Sequence, residues 1–218
     1  MDRKMQMTDS EKLGPYITDR SKHWRSHDLN QTFLNTLGHI EKFGCAVLHI
    51  KGDAASPRFS YTVGVHDTSK NPEIIAIGLT ADAAHGALNR TVALMKSGEN
   101  LTIGRHRGIV GEVECEFRLV DPKWMHHVMG RADWYYEGVE IPVLQLIYPD
   151  LENRFQTEDG FSEYFRQPIL TAGAERGRLE DDFWAANDLS SSLSRWKFLM
   201  TRIRRHTFQR PSTKRRSQ

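Results

Sequence analysis

A polar loop joins two apolar, strand-like segments in FSYTVGVHDTSKNPEIIAIGL, and its residue types are suited to proton transfer. His66 and Glu73 stand at the two ends of this loop. An imidazole and a carboxylate that a turn brings together can exchange protons with a substrate near neutral pH. Because rigid strands can aim loop side chains at a ligand, we predict catalytic roles for both. The alternatives are an exposed loop histidine and a carboxylate that reaches solvent or finds its own donor.

The strand-like segment before this loop offers a phenol, a hydroxyl and a glycine. If the segment alternates as a strand does, Tyr61 faces one side and Thr62 the other. A buried phenol normally finds a hydrogen-bond partner, and a strand glycine such as Gly64 permits close approach of a ligand or of another backbone. We predict a catalytic Tyr61 and ligand-binding roles for Thr62 and Gly64. The alternative is a core tyrosine beside a packing glycine.

Three further candidates come later in the chain. Gln145 lies inside the apolar segment VLQLIYP, where it either satisfies a neighbouring strand or faces a cavity, and Asp150 is either a turn residue or a ligand contact. We predict that both bind ligand and that His126 is catalytic. His126 and His127 are adjacent on a predicted helix and point about 100° apart. Together with the absence of HxH, HExxH and CxxC spacings, this predicts no metal ligand in the sequence.

Hydrophobic periodicity predicts the elements that position these residues. An amphipathic helix is predicted from a cap at Asp28 to a left-handed end at Gly44, followed by a strand over residues 45–51. FSYTVGV is predicted as the next strand, antiparallel to the first across the GDAASP connection. The nearly continuous apolar run EIIAIGL predicts a third strand, buried on both faces.

The second half of the chain continues the pattern of helices and strands. A helix is predicted after Thr80 or Asp82, then two strands in LTIGRHRGIV and GEVECEFRLVD, with Val113, Cys115, Phe117 and Leu119 facing inward. A helix beginning at Asp121–Pro122 and the strand IPVLQLIYPD follow. The pattern predicts an α+β fold with a mostly antiparallel or mixed sheet flanked by helices. A helical, basic extension follows at the C-terminus.

Composition divides the 218 residues into three predicted parts. Residues 1–27 are a polar, irregular N-terminal segment, residues 28–170 form the α+β domain, and residues 171–218 are a helical extension with a basic tail. The net charge of +2 conceals nine Lys or Arg and no acid in residues 195–218. Such a tail either solubilises the chain or attracts phosphate groups. The nucleic-acid hypothesis predicts weak contact through Arg195, Lys197, Arg202, Arg204, Arg205, Lys214, Arg215 and Arg216.

The two cysteines, Cys45 and Cys115, lie in apolar strand-like segments without a second cysteine nearby. We predict two buried thiols in a reducing compartment rather than a disulfide or a metal site. The N-terminal segment MDRKMQMTDSEKLGP lacks the apolar core of a signal peptide, and no run of eighteen apolar residues is present. The sequence therefore predicts a soluble, cytoplasmic protein without a membrane span.

Several segments, in the order seen here, resemble a bacterial family known as domain of unknown function 4262. They are FGCAVLHI, FSYTVGVHDTSKNPEIIAIGL and QLIYPDLENRF, and the resemblance covers about residues 40–170. Val65 stands where a leucine is common in the family, and Ile147 and Tyr148 where a tryptophan often precedes the proline. The resemblance implies a shared domain and brings no reaction with it. The matching positions are Tyr61, Thr62, Gly64, Pro72, Glu73, Gly78, Gln145, Pro149 and Asp150.

Two main functional hypotheses follow from these residues. The first is an enzyme that processes a small molecule or a modified residue, with a pocket framed by Tyr61, His66, Glu73, His126, Gln145 and Asp150. The second is a noncatalytic module that binds a protein or peptide in the same cleft. A third, nucleic-acid association, depends on the basic tail. The sequence leaves the cofactor, the substrate and the oligomeric state unknown.

Overall fold

The computed structural model describes residues 14–52 and 57–171, and it confirms an α+β fold. The strands are β1 (Ala46–Ile50), β2 (Phe59–Val63), β3 (Glu73–Ile77), β4 (Gly104–Val110), β5 (Val113–Leu119) and β6 (Val143–Ile147). The helices are α1 (Asp19–Arg25), α2 (Gln31–Phe43), α3 (Val65–Ser69), α4 (Ala81–Lys96), α5 (Pro122–Val128) and α6 (Gly130–Tyr136), with a short 3₁₀ helix at Glu163–Phe165. The predicted C-terminal helices and basic tail lie outside the described residues from residue 172 onward.

The six strands form one mixed sheet in the order β1-β2-β3-β6-β5-β4. Every neighbouring pair is antiparallel except β3 and β6, which are parallel. The predicted antiparallel pairing of β1 with β2 is confirmed. Because β3 and β6 run in the same direction, their N-terminal ends lie at one end of the sheet and their C-terminal ends at the other. Glu73 lies at the N-terminal end of β3, and Asp150 follows the C-terminal end of β6.

Helices cover both faces of the sheet, and the two central strands are buried throughout. One core contains Ala84, Leu88 and Val92 of α4 against one face of the sheet. The other contains Leu37 and Ile40 of α2, together with residues of α5 and α6, against the opposite face. All five residues of β3 are buried, as the apolar run EIIAIGL predicted, and all five residues of β6 are buried as well.

Side-chain caps and a left-handed glycine define the ends of the predicted helices. The cap of α2 is Asn30 and not the predicted Asp28, since the Asn30 side chain accepts hydrogen bonds from the amides of Thr32 and Phe33. The predicted end at Gly44 is confirmed by its φ of 81°. Asp121 caps α5 through the amide of Lys123, as predicted.

The prediction of an irregular segment over residues 1–27 is wrong for residues 19–25, which form α1. Thr18 caps this helix in a reciprocal arrangement with Ser21. Trp24 packs its ring 4.5 Å from that of Trp134, centroid to centroid, and its Nε1 donates to the Tyr135 carbonyl at 3.0 Å. The segment is mostly polar, so its composition did not predict a helix. The aromatic side chain of Trp24 holds the short helix against the core.

Two of the predicted strands differ from expectation. FSYTVGV is a strand only as far as Val63, because Gly64 adopts a φ of 100° and turns the chain into α3. The predicted polar loop therefore begins as a one-turn helix. In β5, Leu119 was expected to face inward with Cys115 and Phe117, but it is 49% exposed because it lies at the end of the strand.

Both cysteines are free and buried, as predicted. Burial is the main cause that raises the pKa of Cys45 to about 11 and that of Cys115 to about 12. Because the thiolate is the reactive form, we expect neither thiol of the folded protein to react with a disulfide reagent such as DTNB at mildly alkaline pH. Both should react in urea. Rapid reaction of a folded sample at either position contradicts this expectation.

None of the helices among residues 14–52 and 57–171 combines the length and apolar character needed to cross a membrane.

Candidate functional site

A fully buried carboxylate lies at the start of β3. Glu73 is 0% exposed and accepts four hydrogen bonds. Two come from hydroxyl groups, Thr62 Oγ1 at 2.5 Å and Tyr136 Oη at 2.5 Å. Two come from backbone amides, Gly64 at 2.7 Å and His66 at 3.1 Å. We call these five residues the Glu73 cluster; it joins the end of β2, the start of α3 and the end of α6 to β3.

Burial dominates the electrostatics of the Glu73 cluster. It raises the pKa of Glu73, although the hydrogen bonds from Thr62, Tyr136, His66 and Gly64 act in the opposite direction. Burial also raises the pKa of Tyr136, and the adjacent carboxylate raises it further. The cluster can hold a proton within the protein. Because Glu73 has no exposed surface, it has no direct contact with solvent.

His66 approaches Glu73 through its backbone and not through its ring. The imidazole lies edge-on to Tyr136, with 6.3 Å between ring centroids, and its Nδ1 is 3.3 Å from the Asn71 carbonyl oxygen. The next residue, Asp67, accepts hydrogen bonds from Thr18 Oγ1 at 2.5 Å and Tyr135 Oη at 2.8 Å. Helix α3 is therefore held by two carboxylates. Glu73 accepts from the amide of His66, and Asp67, on the helix itself, accepts from Thr18 and Tyr135.

Tyr61 and Gly64 are both packed into the core around α2 and α6. Tyr61 is 2% exposed, and its hydroxyl accepts a hydrogen bond from the amide of Arg131 at 3.1 Å. Burial raises the pKa of this phenol. A Cβ atom at Gly64 would lie 2.8 Å from both Cγ1 and Cγ2 of Ile40. The close approach that the glycine permits is thus to a helix side chain.

Gln145 and Asp150 each form hydrogen bonds with the segment that follows β6. Gln145 donates to the Pro168 carbonyl at 2.6 Å and accepts from the Leu170 amide at 2.8 Å. Asp150 accepts from the amides of Glu152, Arg154 and Ser162 and from the Arg154 guanidinium. Burial alone would raise the pKa of Asp150, but these hydrogen bonds outweigh it and lower the pKa. Both side chains hold the segment after β6 against the sheet.

His126 lies at the surface of α5, where its Nδ1 is 2.6 Å from Asp133 Oδ1 of α6. The predicted site residues are thus divided among separate locations. Four of them, Thr62, Gly64, His66 and Glu73, meet in the Glu73 cluster at the N-terminal end of β3. Asp150 lies at the opposite end of the sheet, beyond the C-terminal end of β6. Their catalytic and ligand-binding roles stay predictions. Sequence reasoning did not identify Tyr136 as the fifth member, because it comes from a helix 63 residues away.

A cavity of about 240 Å³ opens at the end of the sheet where β3 has its C-terminus. It lies between the end of β1, the start of β2 and the connection from β3 to α4. Crevices beyond the carboxyl ends of parallel strands are common ligand sites in α/β sheets, and β3 is parallel to β6. None of the eight predicted site residues lines the described walls of this cavity. Its described lining consists of His49, Ile50, Lys51, Gly52, Arg58, Ser60, Leu79 and Ala81.

Ser60 and His49 form a hydrogen-bonded pair in this cavity. They face each other across β1 and β2, with 2.8 Å between His49 Nδ1 and Ser60 Oγ. Partial burial lowers the pKa of His49, His85 lowers it further, and the charge of Asp82 opposes both. The neutral imidazole is therefore favoured near pH 7. In the tautomer with an unprotonated Nδ1, the Ser60 hydroxyl donates to it, which is the arrangement of a nucleophile and its base.

Sequence reasoning did not find this pair, although it predicted the two strands that carry it. His49 and Ser60 are 11 residues apart, across a connection longer than the two-residue turns that set hairpin register. Without the register, no pattern places one residue opposite the other. Two cationic side chains, Lys51 and Arg58, are the other charged or polar side chains among the described residues of the lining.

The described residues contain no group of three or more His, Cys, Asp or Glu side chains arranged to hold a metal ion. The chemistry available to the cavity from these residues is therefore that of a hydroxyl, an imidazole and two cations. A cofactor stays unknown, as it is in the sequence.

Comparisons with known families complete the description of the site. Residues 39–162 match the family described as domain of unknown function (DUF4262), a range that includes the Glu73 cluster and every described residue that lines the cavity. Comparisons with curated proteins and with solved structures give no match. The matched range is more than half of the 218 residues. The chain belongs to the DUF4262 family.

Proposed function

We propose that this protein is an enzyme that processes a small molecule or a modified residue in the cavity at the end of β3. The observation that carries the proposal is the 2.8 Å contact between His49 Nδ1 and Ser60 Oγ within a cavity of about 240 Å³. A serine hydroxyl is a weak nucleophile until an adjacent base accepts its proton. The lowered pKa of His49 supports a neutral base at physiological pH.

The proposed reaction is the transfer of an acyl or phosphoryl group through Ser60. Ser60 Oγ forms a bond to the electrophilic carbon or phosphorus while its proton passes to His49 Nδ1. The bond to the leaving group then breaks, and protonated His49 returns the proton to that group. Water, activated by the same imidazole, releases the product and restores the hydroxyl.

The residues predicted from the sequence have a positioning role in this proposal. The Glu73 cluster fixes the C-terminal end of β2, the strand that carries Ser60. Asp150 fixes the chain that follows the C-terminal end of β6, at the same end of the sheet as the cavity. Rigid supports of this kind hold reacting groups within the tolerance that catalysis needs.

The buried free thiols agree with a reducing compartment, and we place the protein in the cytoplasm.

One observation favours the competing proposal of a noncatalytic binding module. Ser60 is only 2% exposed, and a serine opposite a histidine in neighbouring strands is also an ordinary cross-strand pair. A binding module would use the cavity without chemical change at Ser60. The basic residues proposed to contact nucleic acid lie in residues 195–216, outside the described part of the chain.

A fluorophosphonate tests the proposal without knowledge of the substrate. The reagent reacts when serine Oγ displaces fluoride from phosphorus and the proton passes to the base. We expect one modification at Ser60, detected by peptide mass spectrometry. Ser60→Ala should abolish it, and His49→Gln should slow it by about 100-fold or more, the usual contribution of a general base. The exposed Ser97, whose hydroxyl donates to the Leu94 carbonyl, provides the control Ser97→Ala, which should react like the parent.

The pH dependence of labelling provides a second readout. Because the pKa of His49 is lowered from its ordinary 6.5, the labelling rate should be near its maximum at neutral pH and fall only in more acidic solution. Circular dichroism of each variant confirms folding. A folded protein that is unlabelled at Ser60, or that is labelled equally fast in His49→Gln, contradicts the proposed enzyme and favours the binding module.

A further inference from the structure

We infer that His85 is a positioning residue for the reaction in the cavity: its ring packs against that of His49 and keeps the imidazole turned with Nδ1 toward Ser60. This inference rests on the proposed function, because it assigns a further residue to the same site. The ring centroids of His49 and His85 lie 5.6 Å apart, with 44° between the ring planes. His49 thus contacts a hydroxyl through its reacting nitrogen and a second imidazole through its ring.

His49 depends on such a contact because it lies near the end of an outer strand. β1 stands first in the strand order of the sheet, and residue 49 is the last but one of this strand. The His49 side chain is exposed, whereas Ser60 is buried. An exposed side chain can exchange among three χ1 rotamers. A rotamer that turns the ring away from Ser60 leaves the hydroxyl without its base, and a neighbouring ring restricts that exchange.

Helix α4 supplies the neighbouring ring from a fixed position. Ala81, the first residue of α4, lines the cavity, and His85 follows it by four residues. Residues with this spacing share one face of a helix, so His85 lies one turn beyond the cavity wall. Ala84, the residue before it, is fully buried in the core between α4 and the sheet. The position of the His85 ring is therefore set by a packed helix and not by a loop.

The charge of His85 gives the inference a second readout. Burial is the main cause that lowers the pKa of His49, His85 lowers this pKa further, and Asp82 of the same helix raises it. Lys51 and Arg58 are the other charged side chains among the described residues of the cavity lining. A residue that only stabilised α4 would not change the protonation of His49, so the pH dependence separates the two roles.

Two substitutions of His85 distinguish the effect of its ring from that of its charge. His85→Ala removes both, and fluorophosphonate labelling of Ser60 at mildly alkaline pH should slow by about three- to tenfold, since the productive rotamer then shares the population with others. His85→Phe keeps a ring, so its labelling at this pH should stay close to the parent rate. Both variants should lose labelling at a higher pH than the parent as the solution is acidified, and Asp82→Asn at a lower pH.

His39 provides the matched control His39→Ala. It is also an exposed histidine on a helix, and its ring centroid lies 5.7 Å from that of Phe43. It belongs to α2, which packs on the opposite face of the sheet. Labelling of this variant should match the parent in rate and in pH dependence. If His85→Ala also matches the parent, the positioning role is overturned and the enzyme proposal stays intact. An equal loss of rate in His85→Phe and His85→Ala overturns the role of the ring.

The inference can be tested even if no fluorophosphonate labels Ser60. That result would end the enzyme proposal, and NMR of His49 would then decide on the ring contact alone. Three-bond couplings about χ1 of His49 should report one rotamer in the parent and in His85→Phe, and an average over several in His85→Ala. The titration of the His49 ring should move to higher pH in both variants. Unchanged couplings and an unchanged titration in His85→Ala overturn the inference.

Discussion

Replacing Glu73 with alanine is expected to destabilise the folded protein by about 3–5 kcal/mol, because several buried donors lose their acceptor and each unsatisfied group costs about 1–3 kcal/mol. Four donors lose their acceptor together: the hydroxyls of Thr62 and Tyr136 and the amides of Gly64 and His66. Glu73 is 0% exposed, so water does not replace the carboxylate without entering the core. Urea unfolding at neutral pH measures the loss.

Two further substitutions define the cause of this loss. Glu73→Gln keeps one acceptor oxygen for the amides of Gly64 and His66 and for the Tyr136 hydroxyl, and its amide nitrogen can donate to the Thr62 hydroxyl. We therefore expect a smaller loss of about 1–2 kcal/mol. The exposed Glu163, which pairs with Arg166 at the surface, provides the control Glu163→Gln. This control should stay within about 0.5 kcal/mol of the parent. A loss below about 1 kcal/mol in Glu73→Ala would show that water satisfies the donors.

The same carboxylate gives this prediction a pH dependence. Burial raises the pKa of Glu73 in the folded state above its ordinary 4.5, so the folded protein binds this proton more tightly than the unfolded chain does. The stability that this tighter binding contributes is fully present below pH 4.5. It is lost as the pH rises through the raised pKa of the folded state. Parent stability, relative to Glu73→Gln, should therefore fall across that window. A relative gain with rising pH would mean that the hydrogen bonds outweigh burial.

The sequence predicts most elements of this fold because their signals are local. The alternation of Val113, Cys115 and Phe117 identifies β5, and Asp121 followed by Pro122 identifies the start of α5. Each of these patterns depends on residues within one element, and neighbours along the chain suffice to read it. Helix α1 is an exception, because this short helix is stabilised by the contact between Trp24 and Trp134, two residues that are far apart in the sequence.

The candidate sites could be predicted only in part because their contacts are long-range. The sequence indicated that a carboxylate ahead of a buried strand either reaches solvent or finds a donor, and Glu73 has four donors. It did not indicate Tyr136, which a separate helix supplies. The pair of His49 and Ser60 depends on strand register, which the hydrophobic pattern of two short strands does not fix.

Gly64 shows how one residue can meet several structural requirements at once. The sequence left open whether a ligand or another part of the protein approaches this glycine, since both require the absence of a side chain. In the structure, Gly64 has a φ of 100° and lies against Ile40 of α2. Its amide also donates to Glu73 at 2.7 Å. One residue thus ends β2, starts α3 and completes the Glu73 cluster.

Gly64→Ala is consequently expected to destabilise the protein by about 2–5 kcal/mol. A positive φ contributes about 1–2 kcal/mol of strain for a residue with a Cβ, and overpacking adds about 1–3 kcal/mol. The new Cβ would lie 2.8 Å from two carbons of Ile40, and no end of a flexible side chain can give way there. Urea unfolding measures the effect. Gly86 lies in the interior of α4, where a Cβ would meet no atom within 4 Å outside its own stretch of helix, and it provides the control Gly86→Ala.

Gly86→Ala should stabilise the protein by up to about 1 kcal/mol, because alanine favours a helix interior over glycine. A double-mutant cycle with Ile40→Ala then separates strain from overpacking at Gly64. Removal of the Ile40 carbons relieves the clash but leaves the φ of 100° unchanged. The double variant should therefore be more stable than the sum of the two single losses predicts, by about the overpacking part. Additive losses would assign the whole effect to backbone strain and to the hydrogen bond with Glu73.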